Sequence, residues 1–436
     1  MPQTATADTA YLHEALHALG VDPDSILPAD WHSKAKALES RIHSRAEARN
    51  RTLSVAEPVE TMEQFWELVA ETEAGTSERT YWDTFENGRR LQLERTLASV
   101  YGADEAILLN CGMSAISVAL GACKVSGGTR LLVGRSRYFE TSGLLERHLR
   151  PSGVNVREVD VLKPGAITEA IEDFQPEVVF LETVANMPSV DAIKDIRLLS
   201  GRQPSPVFII DNSVQSVLTR WFELLGAPDQ VLVLESGTKY VTNDVMCGVI
   251  YGASAPLMKA ARHYARDSGQ FLQARALSYL EPALLELLPL RMAVHSRNVG
   301  AFVEELAAAQ LEGPTVSTLD KRADHTNQDL FRAGRGSLIY LEISGSDPAI
   351  YRQILHRWRS ASLNCATAVV PDIRAGFGWL RTSSRVYESA ALNRSDAPSY
   401  LRISVGLEEL DAIRASALCL SDAILATQAR NRELAL

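Results

Sequence analysis

The sequence predicts an α/β protein, with a large domain on a mostly parallel sheet and a smaller α+β domain behind it. Between residues 90 and 252, continuous Val/Ile/Leu runs alternate with helical stretches. Strands buried on both faces read this way, whereas half-exposed strands alternate apolar with polar residues. Past about Ala260 the pattern changes to long helical stretches and then isolated strands such as SLIYLEIS and YLRISVGL. The length, 436 residues, exceeds what one hydrophobic core supports, so about two or three domains share it.

Taken in order, residues 1–60 are rich in Ala, His, Arg and Glu, with apolar residues at helical spacing (Leu12, Leu16, Leu19; then Ala35, Leu38, Ile42). They predict a helical extension on the outside of a larger body. Residues 61–275 form the predicted α/β domain. An amphipathic helix over 90–100 (Leu91, Leu93, Leu97, Val100) leads into the strand AILLN, and a helix begins at Gly112. RLLVG and a helix through Leu144 and Leu145 follow, then VVFLET and a helix over 193–199. VFIIDNS, VLVLES and GVIYG close the series. Residues 276–436 are the predicted C-terminal α+β domain, with helices over 280–290 and 299–311.

Composition narrows the function classes. Charged residues make up 22% and the apolar set 46%, enough to bury a core and too apolar for a disordered chain. The formal charge of -10 and pI near 5.5 argue against general binding to nucleic acid or anionic membranes. No run is long enough for a membrane span, and the N-terminus has neither a basic start nor an apolar signal core. A soluble, cytoplasmic protein is expected. The 5 cysteines, Cys111, Cys123, Cys247, Cys365 and Cys419, lie far apart without CxxC spacing, and each is expected to be a small buried hydrophobe. No metal site is indicated.

In open α/β sheets, ligands bind beyond the carboxyl ends of the strands, so the polar residues there are the candidates for chemistry. They are Asn110 to Met113, Arg137 and Tyr138, Glu182 and Thr183 with Asn186, Asp211 to Ser213, and Glu235 to Lys239. Asp211 ends an apolar run, where a carboxylate is costly unless paired; it reads equally as a helix-capping aspartate. Lys239 follows Ser236, Gly237 and Thr238; taken alone it is a solvated loop lysine. Together the two supply an anion that could keep a pyridinium protonated and an amine that could form a Schiff base. Gly112 and Met113, where a strand gives way to a helix, offer backbone N–H groups and a helix dipole to a phosphate, with the Ser236 and Thr238 hydroxyls beside them. This junction matches neither GxGxxG nor the GK[ST] phosphate loop, which weakens an unrelated dinucleotide-binding reading.

A longer pattern runs through these residues. In order, the chain carries NGRRLQLERTLASVYGADEAILLNCGMSAI, RYFETSGLLE, ETVANMPSVDAI, IIDNSV, ESGTKYV and YLRISVGLEEL. This series resembles the Cys/Met-metabolism family of pyridoxal-phosphate enzymes, over about residues 81–408. The resemblance implies a fold type I enzyme, with a mostly parallel sheet of roughly seven strands between helices. It implies pyridoxal 5'-phosphate as cofactor, with Lys239 forming the Schiff base and shuttling protons, and Asp211 pairing with the pyridine nitrogen. Tyr138 would stack on the ring and act near the leaving group, although it could equally be a core aromatic. Gly112, Met113, Ser236 and Thr238 would form the phosphate cup, with Ser213 also binding the cofactor and Asn186 on the ring hydroxyl. Arg402 would hold the substrate carboxylate, a task that suits a guanidinium fork. The resemblance further implies a homodimer or homotetramer in which Tyr81 and Trp82 cover a neighbour's pocket.

The departures from the family pattern cluster around the substrate. Tyr81-Trp82-Asp83-Thr84 lacks the arginine of the family's Tyr-x-Arg pair, Glu235 is an uncommon residue before Ser236, and the segment after the lysine is shortened to Thr242-Asn243-Asp244. Gly376-Phe377-Gly378-Trp379 replaces the family's Ser-Leu-Gly segment. The expectation is γ-elimination or γ-replacement on a γ-substituted L-amino acid, in specialised metabolism. The alternatives are β-elimination or other Cα chemistry such as transamination, and a non-catalytic relative that only binds cofactor or amino acid.

Overall fold

A computed structural model describes residues 3–23, 88–161, 163–184, 206–225, 229–242, 245–277, 279–311, 314–318, 332–343, 347–374, 376–378, 380–388 and 399–435. Helix α1 (Gln3–Ala18) and α2 (Gly88–Tyr101) precede β1 (Glu105–Leu109) and α3 (Gly112–Ala122). Next come β2 (Arg130–Gly134), α4 (Phe139–Leu144), β3 (Asn155–Val159), α5 (Ala166–Phe174), β4 (Val178–Glu182), β5 (Val207–Asp211), β6 (Val231–Glu235), β7 (Gly248–Gly252) and α6 (Ala255–Asp267). The C-terminal part holds α7 (Leu288–Ala308), β8 (Pro314–Thr318), β9 (Leu338–Ile343), α8 (Pro348–Asn364), β10 (Asp372–Ile373), β11 (Ser383–Tyr387), β12 (Tyr400–Ser404) and α9 (Leu410–Ala435).

The first sheet has 7 strands in the order β1-β7-β6-β5-β4-β2-β3. β6, β5, β4, β2 and β3 pair in parallel, while β7 runs antiparallel to both β1 and β6. The apolar runs named the other six strands, but β3 went unread. Its sequence NVREV exposes Asn155, Arg157 and Glu158 and buries Val156 and Val159, as an edge strand does. Both faces of the sheet are covered, which is why its strands lack alternation. Ile107, Leu109, Leu131, Phe180, Ile209 and Leu232 meet Ala115, Val118 and Ala119 of α3 and Met258 and Ala261 of α6. On the opposite face Leu108, Leu132, Leu181, Ile210 and Val233 meet Leu93, Leu97 and Tyr101 of α2.

The second sheet, ordered β10-β11-β12-β9-β8, is antiparallel except for the β10–β11 pair. Ile339, Leu341, Leu401 and Ile403 point into a core with Phe302 of α7, Trp358 of α8 and Leu420 of α9. Successive side chains alternate across a strand, so Tyr400, Arg402 and Ser404 point the other way, and Tyr340 and Tyr400 join the core of the first sheet. This face brings Arg402 to the large domain.

The predicted 280–290 helix is interrupted: a short turn, Pro282–Glu286, ends before α7 begins at Leu288. Pro289 sits in the first turn of α7, where its missing N–H costs nothing. Of the N-terminal extension, α1 lies against α7, with Leu12, Ala15 and Leu16 on Leu290, Ala293 and Val294. The predicted helix over 193–199, and the extension from residue 24 to residue 60, lie outside the described residues. Among the described residues, no helix is long and apolar enough to cross a membrane.

Candidate active site

Register places the predicted carboxylates side by side. Glu182 at the end of β4 pairs with Asp211 at the end of β5, so both emerge at one sheet edge and on one face. The Tyr138 backbone N–H, at the start of α4, donates to Glu182 Oε1 at 2.5 Å, which ties α4 to this edge. Burial raises the Tyr138 phenol above its ordinary value, and the nearby Glu140, Tyr387, Glu182 and Asp211 add to the effect.

Asp211 is held by its own strand end. Asp211 Oδ1 accepts from the Ser213 backbone N–H (2.9 Å) and from the Ser213 hydroxyl (2.6 Å). That hydroxyl in turn accepts from the Ser236 N–H at 2.7 Å. Burial pushes the Asp211 carboxyl up, while the Ser213 bonds and then the Lys239 amine pull it back. Ser213 is thus a brace between the ends of β5 and β6. The Asp211 carboxylate is half-buried and feels the charge of the Lys239 amine, which favours its ionised form.

The turn after β6 presents Lys239. Its backbone N–H donates to Ser236 O at 3.0 Å, closing a tight turn. Burial lowers the amine below the ordinary lysine value, the Arg402 guanidinium lowers it further, and Asp211 opposes both. The Thr238 hydroxyl donates to Cys247 O (3.2 Å) and accepts from Cys247 N–H (3.0 Å), so here it fastens the turn to the strand that follows. A Cβ on Gly112 would lie 2.8 Å from Ser236 Cβ. Only glycine allows the start of α3 to approach Ser236 so closely. Cys111 caps that start, its sulfur accepting from Ser114 N–H at 3.4 Å.

Arg402 is buried and its Nη2 donates to Gly376 O at 3.3 Å. Its guanidinium carbon lies 4.7 Å from the Tyr387 ring centroid and 5.3 Å from that of Phe377. Lys239 Nζ lies 5.2 Å from the same Phe377 ring. Phe377 therefore stands beside both cations, and each gains from an aromatic face. Gly378, at φ +77°, packs on Tyr240 and the Lys239 backbone, and its N–H donates to Ser404 Oγ at 3.1 Å. The sequence marked this segment only as a departure; an aromatic between two glycines was the available signal.

Glu235 points away from Asp211, to the opposite face of the sheet, because it is one residue past the Leu234 that pairs with Asp211. Tyr251 donates to its Oε1 at 2.6 Å, and Tyr251 stacks on Tyr101 at 3.8 Å. Burial pushes its carboxyl up to about 7, despite the Tyr251, Ser216 and Tyr101 hydroxyls nearby. Of the remaining predicted site residues, Tyr81, Trp82 and Asn186 lie outside the described residues, as do Asn243, Asp244 and Trp379.

A half-buried lysine near a carboxylate and an arginine, with a glycine-floored helix start beside a serine, thus gathers at the carboxyl edge of the first sheet. The sequence profile described as Cys/Met metabolism PLP-dependent enzyme matches residues 39–417, and the chain belongs to that family. It is similar to an L-methionine gamma-lyase of Brevibacterium sandarakinum, 28% identical over 340 residues that cover 76% of this chain and 80% of that one. An O-succinylhomoserine sulfhydrylase of Pseudomonas aeruginosa is 26% identical over 352 residues, covering 78% of this chain and 83% of its own. In fold, the chain resembles the crystal structure of cystathionine gamma synthase from Xanthomonas oryzae pv. oryzae in complex with aminoacrylate and cysteine. That match has a TM-score of 0.66 at 21% identity and covers 81% of this chain and 90% of that one. The chain is thus a PLP-dependent enzyme of amino-acid metabolism, a lyase or transferase of the γ-elimination and γ-replacement type.

Proposed function

We propose that this enzyme acts on a γ-substituted L-amino acid in specialised metabolism, with Lys239, Asp211, Tyr138 and Arg402 as its working groups. The observation that carries this reading is the placement of Lys239 and Arg402 beside one ring, Phe377, at 5.2 and 5.3 Å. An α-carboxylate on the guanidinium would put Cα within the lysine's reach.

The residues present suit pyridoxal phosphate. Gly112 and Met113 at the start of α3, with Ser236 beside them, can hold the phosphate, and Thr238 joins by turning its hydroxyl from Cys247. Asp211, braced by Ser213, would pair with the pyridine nitrogen and keep it protonated. When bound, the cofactor accepts the electron pair left at Cα. Lys239 would be its attachment point and would serve as the base that takes the Cα proton and moves a proton at Cβ. Burial and the Arg402 guanidinium lower the basicity of this amine, the direction that suits a general base. Arg402 orients the α-carboxylate with two parallel hydrogen bonds. Tyr138, near Glu182 and Asp211, would protonate the departing γ-group. Asn186 would contact the ring hydroxyl, and Tyr81 and Trp82 would cover the pocket of a neighbouring subunit in a homodimer or homotetramer in the cytoplasm.

The same reading keeps the division of the chain into 1–60, 61–275 and 276–436, supported by the fall of β1 to β7 before residue 253 and of β8 to β12 after residue 313. The test is a panel of amino acids with thiol, ester, sulfonium or halide leaving groups at Cγ, assayed for ketoacid and ammonia, or for a new thioether when a thiol is supplied. Turnover of β-substituted compounds alone would move the reaction to β-elimination, and cofactor binding without product would indicate a binding protein. Full activity in a monomer would contradict the shared site.

A further inference from the structure

The face of the second sheet that carries Arg402 also carries a second guanidinium. β11 and β12 run antiparallel, with Arg385 opposite Arg402 and Tyr387 opposite Tyr400. Directly opposite residues share a face, as do residues two apart on one strand, so these four side chains stand together. The distances agree with the register. The Arg402 guanidinium carbon lies 4.7 Å from the Tyr387 ring centroid, that of Arg385 lies 5.6 Å from the same centroid, and the Tyr387 and Tyr400 rings stack at 5.2 Å. The cations therefore follow in a row, Lys239 and Arg402 on Phe377, then Arg402 and Arg385 on Tyr387. Arg402 is buried and Arg385 is exposed, so the row leads from the site outward.

For the sheet alone this row is unfavourable. Directly opposite Cβ atoms in an antiparallel pair are about 4.5–5.5 Å apart, and like charges placed there destabilise the pair. The Tyr387 ring offsets part of the repulsion through its negative face. Among the described residues no carboxylate forms an ion pair with Arg385, and Glu388, next to Tyr387, pairs with Arg352 instead. The chain as a whole carries a formal charge of -10, so three cations gathered on one line run against its overall balance. Such a local field draws anions to this face and repels them elsewhere.

We propose that Arg385 binds a second carboxylate, carried at the far end of the substrate's γ-substituent, while Arg402 holds the α-carboxylate. This deepens the reading given above and rests on its placement of the α-carboxylate at Arg402. Two guanidiniums that share one ring lie within the span of one amino acid extended by a short acidic arm. A guanidinium fork meets a carboxylate with two parallel hydrogen bonds, and one fork balances the single charge of a carboxylate rather than the double charge of a phosphate. Exposure suits the task. An ion pair at the surface is screened and weak, so it selects the arm that arrives without trapping the group that leaves.

The test compares L-2-aminopimelate with L-2-aminoheptanoate, unreactive amino acids that share one arm and differ only in its terminal carboxylate or methyl. Binding to the cofactor-loaded full chain is read by the change in visible absorbance and by calorimetry. The ratio of the two affinities, pimelate over heptanoate, should fall about fivefold to tenfold in Arg385→Gln and further in Arg385→Glu. Arg385→Lys, which keeps the charge and loses the fork, should retain part of the ratio. In the parent protein the ratio should also fall as salt is raised, a measurement that needs no variant, whereas in Arg385→Gln salt should leave it unchanged. A ratio that is the same in the parent, Arg385→Gln and Arg385→Glu overturns the subsite and leaves Arg385 a solvated arginine on Tyr387, with the amino-acid reading of the site intact. If neither ligand binds the parent, the reading of Arg402 falls and this subsite falls with it.

Discussion

At Lys239, burial and the Arg402 guanidinium act in the same direction, and Asp211 alone pulls the other way. Lys239→Ala should abolish turnover and remove the visible absorbance of the cofactor-loaded protein, measured by spectrophotometry beside a circular dichroism control. Arg402→Lys keeps the charge and loses the fork, so kcat/KM should fall about tenfold to a hundredfold, through both KM and kcat. Steady-state kinetics check this, with unchanged constants as the contrary result. Glu235 gives a pH prediction. Its folded-state value of about 7 lies above the ordinary 4.5, so its protonated form stabilises the fold fully below about pH 4.5, and this is lost as pH rises through about 7. The loss is on the order of 3 kcal/mol. Glu235→Gln keeps an acceptor for Tyr251 without a proton to lose, so its Tm should decline less between about pH 5 and about pH 8 than that of the parent. Equal declines in both proteins would contradict the buried neutral acid.

At the scale of an element, α3 depends on a glycine for contact and α7 does not. Gly112→Ala would drive a methyl into Ser236, forcing the start of α3 away from β6 and weakening pyridoxal-phosphate binding at least about tenfold, which fluorescence titration of the cofactor-free protein would measure. Gly300 lies within α7 with nothing inside 4 Å of its added Cβ. Gly300→Ala should raise stability by about 0.5–1 kcal/mol through helix propensity and a less disordered unfolded state. Denaturant unfolding distinguishes the two, and a destabilised Gly300→Ala would show that this face of α7 is covered. The strands show what an element reveals by its residues. β4 and β6 are buried at every position and stand out as apolar runs. β3, with one neighbour and polar residues at the sheet edge, looks like a turn or loop in the same text.

Across the whole molecule, contacts between distant parts of the chain assemble the working surface. α1 rests on α7 through Leu12 and Leu16, both fully buried. Leu16→Ala should cost about 2–5 kcal/mol if the fold is one cooperative unit, read as a lower Tm or denaturant midpoint. A change below about 0.5 kcal/mol would mean that α1 is frayed from α7 in solution. The β12 strand acts at the same scale: its outward face packs with Phe302, Trp358 and Leu420, and its inward face sets Arg402 beside Lys239. A mutation in that apolar layer would therefore alter substrate binding by tilting β12.

The sequence by itself determined the α/β class, most of the strands, and the Lys239 and Asp211 candidates, while Arg402 came from the family resemblance. Apolar runs, glycine junctions and costly polar residues at strand ends are local signals, written in neighbouring residues. Tertiary structure decided which candidates meet. The facing of Arg402 toward Lys239 depends on β12 alternation and its docking, and the bracing of Asp211 by Ser213 and Ser236 depends on the register of β5 against β6. The place of Phe377 beside both cations is likewise invisible along the chain. These partners are remote in sequence, and only the packing of sheets and helices sets the distances on which charge and hydrogen bonding depend.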